Sequence, residues 1–245
     1  DPQATRAEFR RQVRSSPYVE LCNTTPRDAT QSDSNNRLRL HDDRLYGPLL
    51  DRCGYVSLET GGGAHYHVAM IGCMTDPWHE AAEWNRFAPH TRKQILVRST
   101  NLLGYAPQPR AVMERTGRLI LQHYHIVRCF DFLNHVENME PLARLVLSSD
   151  RHVFQPAISL SWAEGFTVEH YLGVLEEILA MVGRVLGCDR QRASREIILC
   201  LKDMAGVCPP SFIRDLVSAI LDRYPDLIVQ YHRHATDGLA LPALG

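Results

Sequence analysis

The seven cysteines (Cys22, Cys53, Cys73, Cys129, Cys188, Cys200 and Cys208) form no CxxC pair, and several sit in apolar runs where a reduced thiol behaves as a small hydrophobe. This odd, scattered set fits a reducing cytoplasm. Positive charge is not in surplus either: 27 Lys and Arg stand against 28 Asp and Glu. A phosphate backbone therefore has no general basic surface to bind, and nucleic acid is not an expected partner. The start, DPQATRAEFRRQVRSS, lacks an apolar core of signal-peptide type, and no later run is long enough to span a bilayer. Neither a dinucleotide glycine fingerprint nor a P-loop occurs. These absences together suggest a soluble, cytoplasmic protein. At 245 residues, 44% of them apolar, the chain can bury a substantial core.

Short β-rich runs alternate with amphipathic stretches. The expected strands are Tyr18–Thr25, Gly54–Thr60, Lys93–Ser99, His125–Phe130, Phe154–Ser161, Arg195–Asp203 and Asp226–His234. Between them lie helical patterns such as VEHYLGVLEEILAMVGRVLG (Val168–Gly187), with apolar residues at spacings of three and four and a closing glycine. Such βα alternation favours a parallel sheet with helices outside, either doubly wound or a (β/α)8 barrel. Polar residues gather just past the strand ends: Arg27, Asp28 and Gln31; Glu59 with Gly61 to Gly63; Arg98 and Asn101; Asp131 and Asn134; Lys202 and Asp203; His232 and His234. Only a barrel brings all of these to one face, so the barrel is the expected architecture.

His232 and His234 close an apolar run, and residues two apart on a strand share a face. An HxH pair there is a ready bidentate grip on a metal ion. Among 12 histidines one such pair can also arise by chance, so other ligands must decide.

Six motifs together resemble the carboxyltransferase component of biotin-dependent enzymes acting on pyruvate or oxaloacetate. They are TTPRDATQS (Thr24–Ser32), ETGGGAHYHVAM (Glu59–Met70), LVRSTNLLGY (Leu96–Tyr105), CFDFLNHVENM (Cys129–Met139), LKDMAG (Leu201–Gly206) and HRHATDG (His232–Gly238), in the family's order along nearly the whole chain. The resemblance implies a TIM barrel with a divalent ion (zinc, manganese or cobalt) held by Asp28, His232, His234 and a carbamylated Lys202. A carbamate supplies a negative charge and a hard oxygen, whereas an ammonium would repel the cation. The plainer alternative pairs Lys202 with Asp28 or Asp203 in a salt bridge. Arg98 would grip the keto-acid carboxylate in a bidentate fork, with Gln31 and Arg27 beside it as catalytic groups with Lys202, and Tyr105 lining the mouth. Arg98 as a capping residue and Tyr105 as packing are the plainer readings.

The resemblance further implies carboxyl transfer through a metal-stabilised enolate. No Met-Lys-Met biotin-attachment sequence occurs. Biotin is then expected on another chain or domain, with a biotin carrier protein and a biotin carboxylase as partners in a homo- or hetero-oligomer. The sequence departs from the family at Thr30, where His is usual, at Gly61, where an aromatic is usual, and at Ala235, where Asp is usual. It ends at ALPALG, inside the helix expected after the seventh strand. The expected organisation is an N-terminal helical extension over 1–17 and a carboxyltransferase-like barrel over 18–245, without the eighth strand or the C-terminal domain. Two other readings stay open. One is a biotin-independent lyase or aldolase-like enzyme of the same barrel superfamily, which would not need a lysine ligand at 202. The other is a truncated, non-catalytic homologue acting as an assembly subunit.

Overall fold

A computed structural model describes residues 1–243; the last two positions of the expected 18–245 domain lie outside the described residues. Seven parallel strands form one sheet in chain order: β1 (Cys22–Asn23), β2 (Ser57–Gly62), β3 (Arg92–Arg98), β4 (Ile126–Phe130), β5 (Val153–Ser159), β6 (Ile198–Asp203) and β7 (Ile228–Arg233). The helices are α1 (Arg6–Ser15), α2 (Thr30–Ser34), α3 (Leu40–Leu50), α4 (Gly63–His67), α5 (Pro77–Phe87), α6 (Arg110–His123), α7 (Glu140–Leu147), α8 (Val168–Leu186), α9 (Arg190–Ser194) and α10 (Pro210–Arg223). Sequence chemistry sets their limits. Thr167 caps the start of α8 by accepting from the His170 amide, and Gly187 ends it in the left-handed region at φ 66°.

The first expected strand shrinks from eight residues to Cys22–Asn23. Among the described residues it pairs only with β2, and the chain then enters a π-helical turn, Thr25–Ala29, started by Pro26. Such turns redirect side chains, and this one carries Arg27 and Asp28. At the other end, residues 236–243 form turns and a bend rather than the expected helix.

The sheet is strongly curled. Neighbouring strands lie about 4.8 Å apart, so a flat seven-stranded sheet would hold its edges about 29 Å apart. Here Asp28, just after β1, stands 3.4 Å from His232 of β7. The main apolar core fills the space between the outer sheet face and the helices, with Val97, Val127, Leu199 and Leu201 packed against Ile120, Leu142, Leu175 and Leu216. A smaller cluster, Phe9 of α1 with Ile126, Val153 and Ile198, plugs the end where the strands begin. Arg10 locks that plug by donating from Nη2 to the Asp226 carbonyl at 3.0 Å and from Nη1 to the Ile197 carbonyl.

Candidate active site and metal centre

Inside the curl, above that plug, the strands present mainly polar side chains. Glu59 of β2 is fully buried and takes Arg27 Nε at 2.7 Å and Gln94 Nε2 at 2.5 Å. Arg128 of β4 stands with Nη1 2.9 Å from Glu59 Oε2, and donates to Gln155 of β5 at 2.7 Å and Gln230 of β7 at 2.5 Å. Burial alone would raise the Glu59 carboxyl, but the Arg27 and Arg128 guanidiniums override it and hold it at about 2. Arg27 and Glu59 were among the strand-end residues singled out from sequence, but the rest of the belt was missed. Its signal was one polar residue inside each apolar strand: Gln94 in KQILVRS, Arg128 in HIVRCF, Gln155 in FQPAIS and Gln230 in IVQYHR.

Directly above the belt, at the C-terminal strand ends, Asp28, His232 and His234 converge. Their ligating atoms lie within 4.8 Å of one another. His232 Nε2 and His234 Nε2 face the same oxygen, Asp28 Oδ2, at 3.4 and 3.3 Å. Tetrahedral donors about 2.1 Å from an ion stand about 3.4 Å apart, so the spacing suits a divalent cation. A second observation agrees: His232 Nε2 is buried without a hydrogen-bond partner, an arrangement that usually costs free energy. Burial first, and Arg128 next, push the His232 imidazole down to about 2, so it is neutral and able to ligate. Arg27 binds the other Asp28 oxygen at 2.8 Å and so fixes the carboxylate from behind. Thr30, where the resemblance expects histidine, bonds back to the Pro26 and Arg27 carbonyls at 3.1 and 3.0 Å and steadies the turn.

Lys202 lies on β6 in register with His232. The salt bridge of the plainer reading is not formed: Asp28 pairs with Arg27 and faces the two histidines, and Asp203 faces Arg233. Burial and then Arg27 lower the Lys202 amine to about 8, against the opposing pull of Asp28. Its Nζ sits 5.2 Å from the centre of the Phe130 ring.

Arg98 ends β3, donates to the Gly104 carbonyl at 2.9 Å and lies 4.4 Å over the Tyr105 ring. Tyr105 is 62% exposed, with His67 against its edge at 5.0 Å. The glycine turn makes these positions possible. A Cβ on Gly62 would meet Arg27 Cδ at 2.9 Å, and one on Gly63 would meet Arg98 Nη1 at 2.9 Å. At Gly61, where the resemblance expects an aromatic, the Tyr124 hydroxyl fills the space, hydrogen-bonded to Tyr66 at 3.0 Å. Gln31 is exposed on α2 and its side chain makes no hydrogen bond among the described residues. Asp131 and Asn134 brace loops instead of joining the cluster: Asp131 accepts from Ser99 at 3.1 Å and Asn138 at 2.8 Å, and Asn134 pairs with the Ser159 backbone.

The likeness of the chain to known proteins can be set beside this geometry. No family model matches the chain. The mitochondrial pyruvate carboxylase of Homo sapiens is 32% identical over 96% of this chain and 20% of that protein. One subunit of the pyruvate carboxylase of Methanothermobacter thermautotrophicus is 31% identical over 90% of this chain and 36% of that protein. The carboxyl transferase domain of Rhizobium etli pyruvate carboxylase, solved with pyruvate and biocytin, superposes with a TM-score of 0.85 at 26% identity over 98% of this chain and 40% of that one. The chain's relatives are thus pyruvate carboxylases, and a structural neighbour is the carboxyl transferase domain of one of them. The chain spans between a fifth and two fifths of the length of these relatives.

Proposed function

We propose that the chain is the catalytic barrel of a biotin-dependent carboxyltransferase, moving CO2 between carboxybiotin and a small 2-keto acid of the pyruvate or oxaloacetate type. The observation that carries this reading is the convergence of Asp28, His232 and His234 from opposite edges of the sheet, with His232 Nε2 left unpartnered. The curled sheet corresponds in this reading to most of a (β/α)8 barrel. Asp28, His232 and His234 would hold zinc, manganese or cobalt, with Lys202 as the fourth ligand. Its amine, lowered to about 8, has a substantial neutral fraction near neutral pH. That neutral amine adds CO2 and releases one proton, leaving a carbamate oxygen for the site. When bound, the ion supplies Lewis-acid polarisation of the keto oxygen.

The chain's own groups do the rest. Arg98 binds and orients the keto-acid carboxylate, and Tyr105 stacks on its guanidinium at the mouth. Arg27, anchored by buried Glu59, holds the Asp28 carboxylate aimed inward. Gln31, exposed on α2, would assist Arg98 at the keto-acid carboxylate. In the carboxylation direction the keto acid's methyl carbon loses a proton and gains the carboxyl group, while the biotin nitrogen regains a proton. Biotin arrives on another chain or domain, so a biotin carrier and a biotin carboxylase are the partners, within a homo- or hetero-oligomer. The biotin-independent lyase reading is weaker because Lys202 shares the inner face with the histidines. Oxaloacetate decarboxylation with and without free biotin, together with metal content by mass spectrometry, tests the reading. Turnover indifferent to biotin would transfer the chain to the lyases, and protein free of divalent metal would remove the metal centre.

A further inference from the structure

The two rungs that join the ends of β6 and β7 are Lys202 with His232 and Asp203 with Arg233. Because side chains alternate along a strand, the first rung and His234 face the interior while the second faces outward. The outward rung is closely bonded. Arg233, with a side chain only 3% exposed, donates from Nη1 to the Cys208 carbonyl at 2.9 Å and from Nη2 to the Gly206 carbonyl at 3.1 Å. The same Nη2 binds the Asp237 carboxylate, and Nε lies 3.9 Å from Asp203 Oδ2. Asp203 in turn gathers the amides of Gly206, Val207 and Cys208 at 2.9, 3.2 and 3.1 Å. The two segments touch so closely that the His234 carbonyl occupies the place a Cβ on Gly206 would take, and Gly206 has φ 65°.

We propose that Asp203, Arg233 and Asp237 form an outward clamp that positions three of the four metal-holding residues, Lys202, His232 and His234. The clamp rests on the metal-centre reading of the site. The guanidinium sits between the two histidines in sequence and on the opposite side of the strand. It binds the loop after β6 and the turn after β7 at once, so the spacing of His232 and His234 from Lys202 depends on it. A lysine cannot replace it, since one ammonium does not reach two carbonyls and two carboxylates in the plane of a guanidinium fork. Residues behind metal ligands set the ligands' orientation, and their loss typically weakens metal affinity tenfold to a hundredfold.

The test is titration of the full chain with cobalt(II), reading both affinity and the visible absorption bands, alongside thermal melting without metal. Arg233→Ala is expected to weaken cobalt binding about tenfold to a hundredfold and to alter the bands, with a cooperative melt retained. Added guanidinium at low concentration is expected to restore part of the affinity, and Arg233→Lys is expected not to. Should Arg233→Ala fail to fold, Arg233→Lys and Asp203→Asn carry the same expectation of weakened binding. Wild-type affinity and bands in any folded clamp variant would overturn the clamp. If His232→Ala with His234→Ala binds cobalt as the wild type does, or the wild type binds none, the metal centre itself falls and the clamp with it. The two failures are thus told apart by which variants lose the ion.

Discussion

At the scale of single residues, the site turns on which charges are satisfied within the chain and which are left facing the cavity. Arg27 and Arg128 are consumed by Asp28 and Glu59, whereas Arg98 holds only a carbonyl and an aromatic face. Its charge therefore remains available to a carboxylate. Arg98→Ala is expected to raise the Michaelis constant for oxaloacetate by about 2 kcal/mol in binding terms, the low end for a charge-paired anchor because the side chain is only half-buried. Metal content should stay unchanged, and an unaltered Michaelis constant would take Arg98 out of the site. Lys202→Arg keeps the positive charge but cannot form a carbamate, so metal occupancy is expected to drop sharply; wild-type metal content by mass spectrometry would make the lysine structural. Asp28 and the two histidines were legible in the sequence because their types and strand-end positions carry the chemistry openly. Arg233 was not, since a residue between two candidate ligands looks like a spacer until its partners, Gly206, Cys208 and Asp237, are seen in space.

At the scale of elements, the strands were readable because runs of β-branched and apolar residues have one meaning between amphipathic helices, and all seven formed within or overlapping the expected spans, β1 much shortened. The shortness of β1 was not readable: the turn after it draws Thr25–Ala29 out of extended backbone to aim Arg27 and Asp28 inward. What ties the elements together inside the curl is the polar belt, in which one guanidinium, Arg128 of β4, touches side chains from β2, β5 and β7. Breaking a buried pair by removing one partner leaves the other charge uncompensated. Arg128→Met is therefore expected to lower unfolding free energy by about 3 kcal/mol, even though methionine fills much of the same space. The remaining Arg27 contact on Glu59 keeps the loss at the low end of the range. Denaturant unfolding checks this, and a change below about 0.5 kcal/mol, the size of an ordinary surface substitution, would show that Arg27 alone satisfies Glu59.

At the scale of the whole molecule, buried His125, His232 and Glu59 all make stability fall as the pH is lowered. His125 has its imidazole pushed down to about 3 from an ordinary 6.5, by burial first and by Lys93 next, and its Nδ1 accepts the Lys93 amide at 3.1 Å. His232 is held lower still, at about 2. Both are neutral in the folded chain, while the unfolded chain takes up protons on them once the pH falls through 6.5. The unfolded state then binds more protons, so stability declines as pH decreases from that point. Glu59 adds a second stage of the same sign: its folded value of about 2 lies below the ordinary 4.5, so the stability it contributes is present above 4.5 and lost as pH falls from there to about 2. A metal-free sample should accordingly melt at progressively lower temperature below pH 6.5, with a steeper fall below 4.5. By pH 5 a histidine with a folded value near 3 forfeits about 2 kcal/mol relative to neutral pH. His125→Asn removes one of these sites, so the melting temperature of that variant should change less between pH 7 and pH 5 than that of the wild type. An identical slope for the two would mean that His125 gains its proton in the folded chain as readily as in the unfolded one, giving up the bond from the Lys93 amide at little cost, and that the acid sensitivity of the upper range comes from elsewhere.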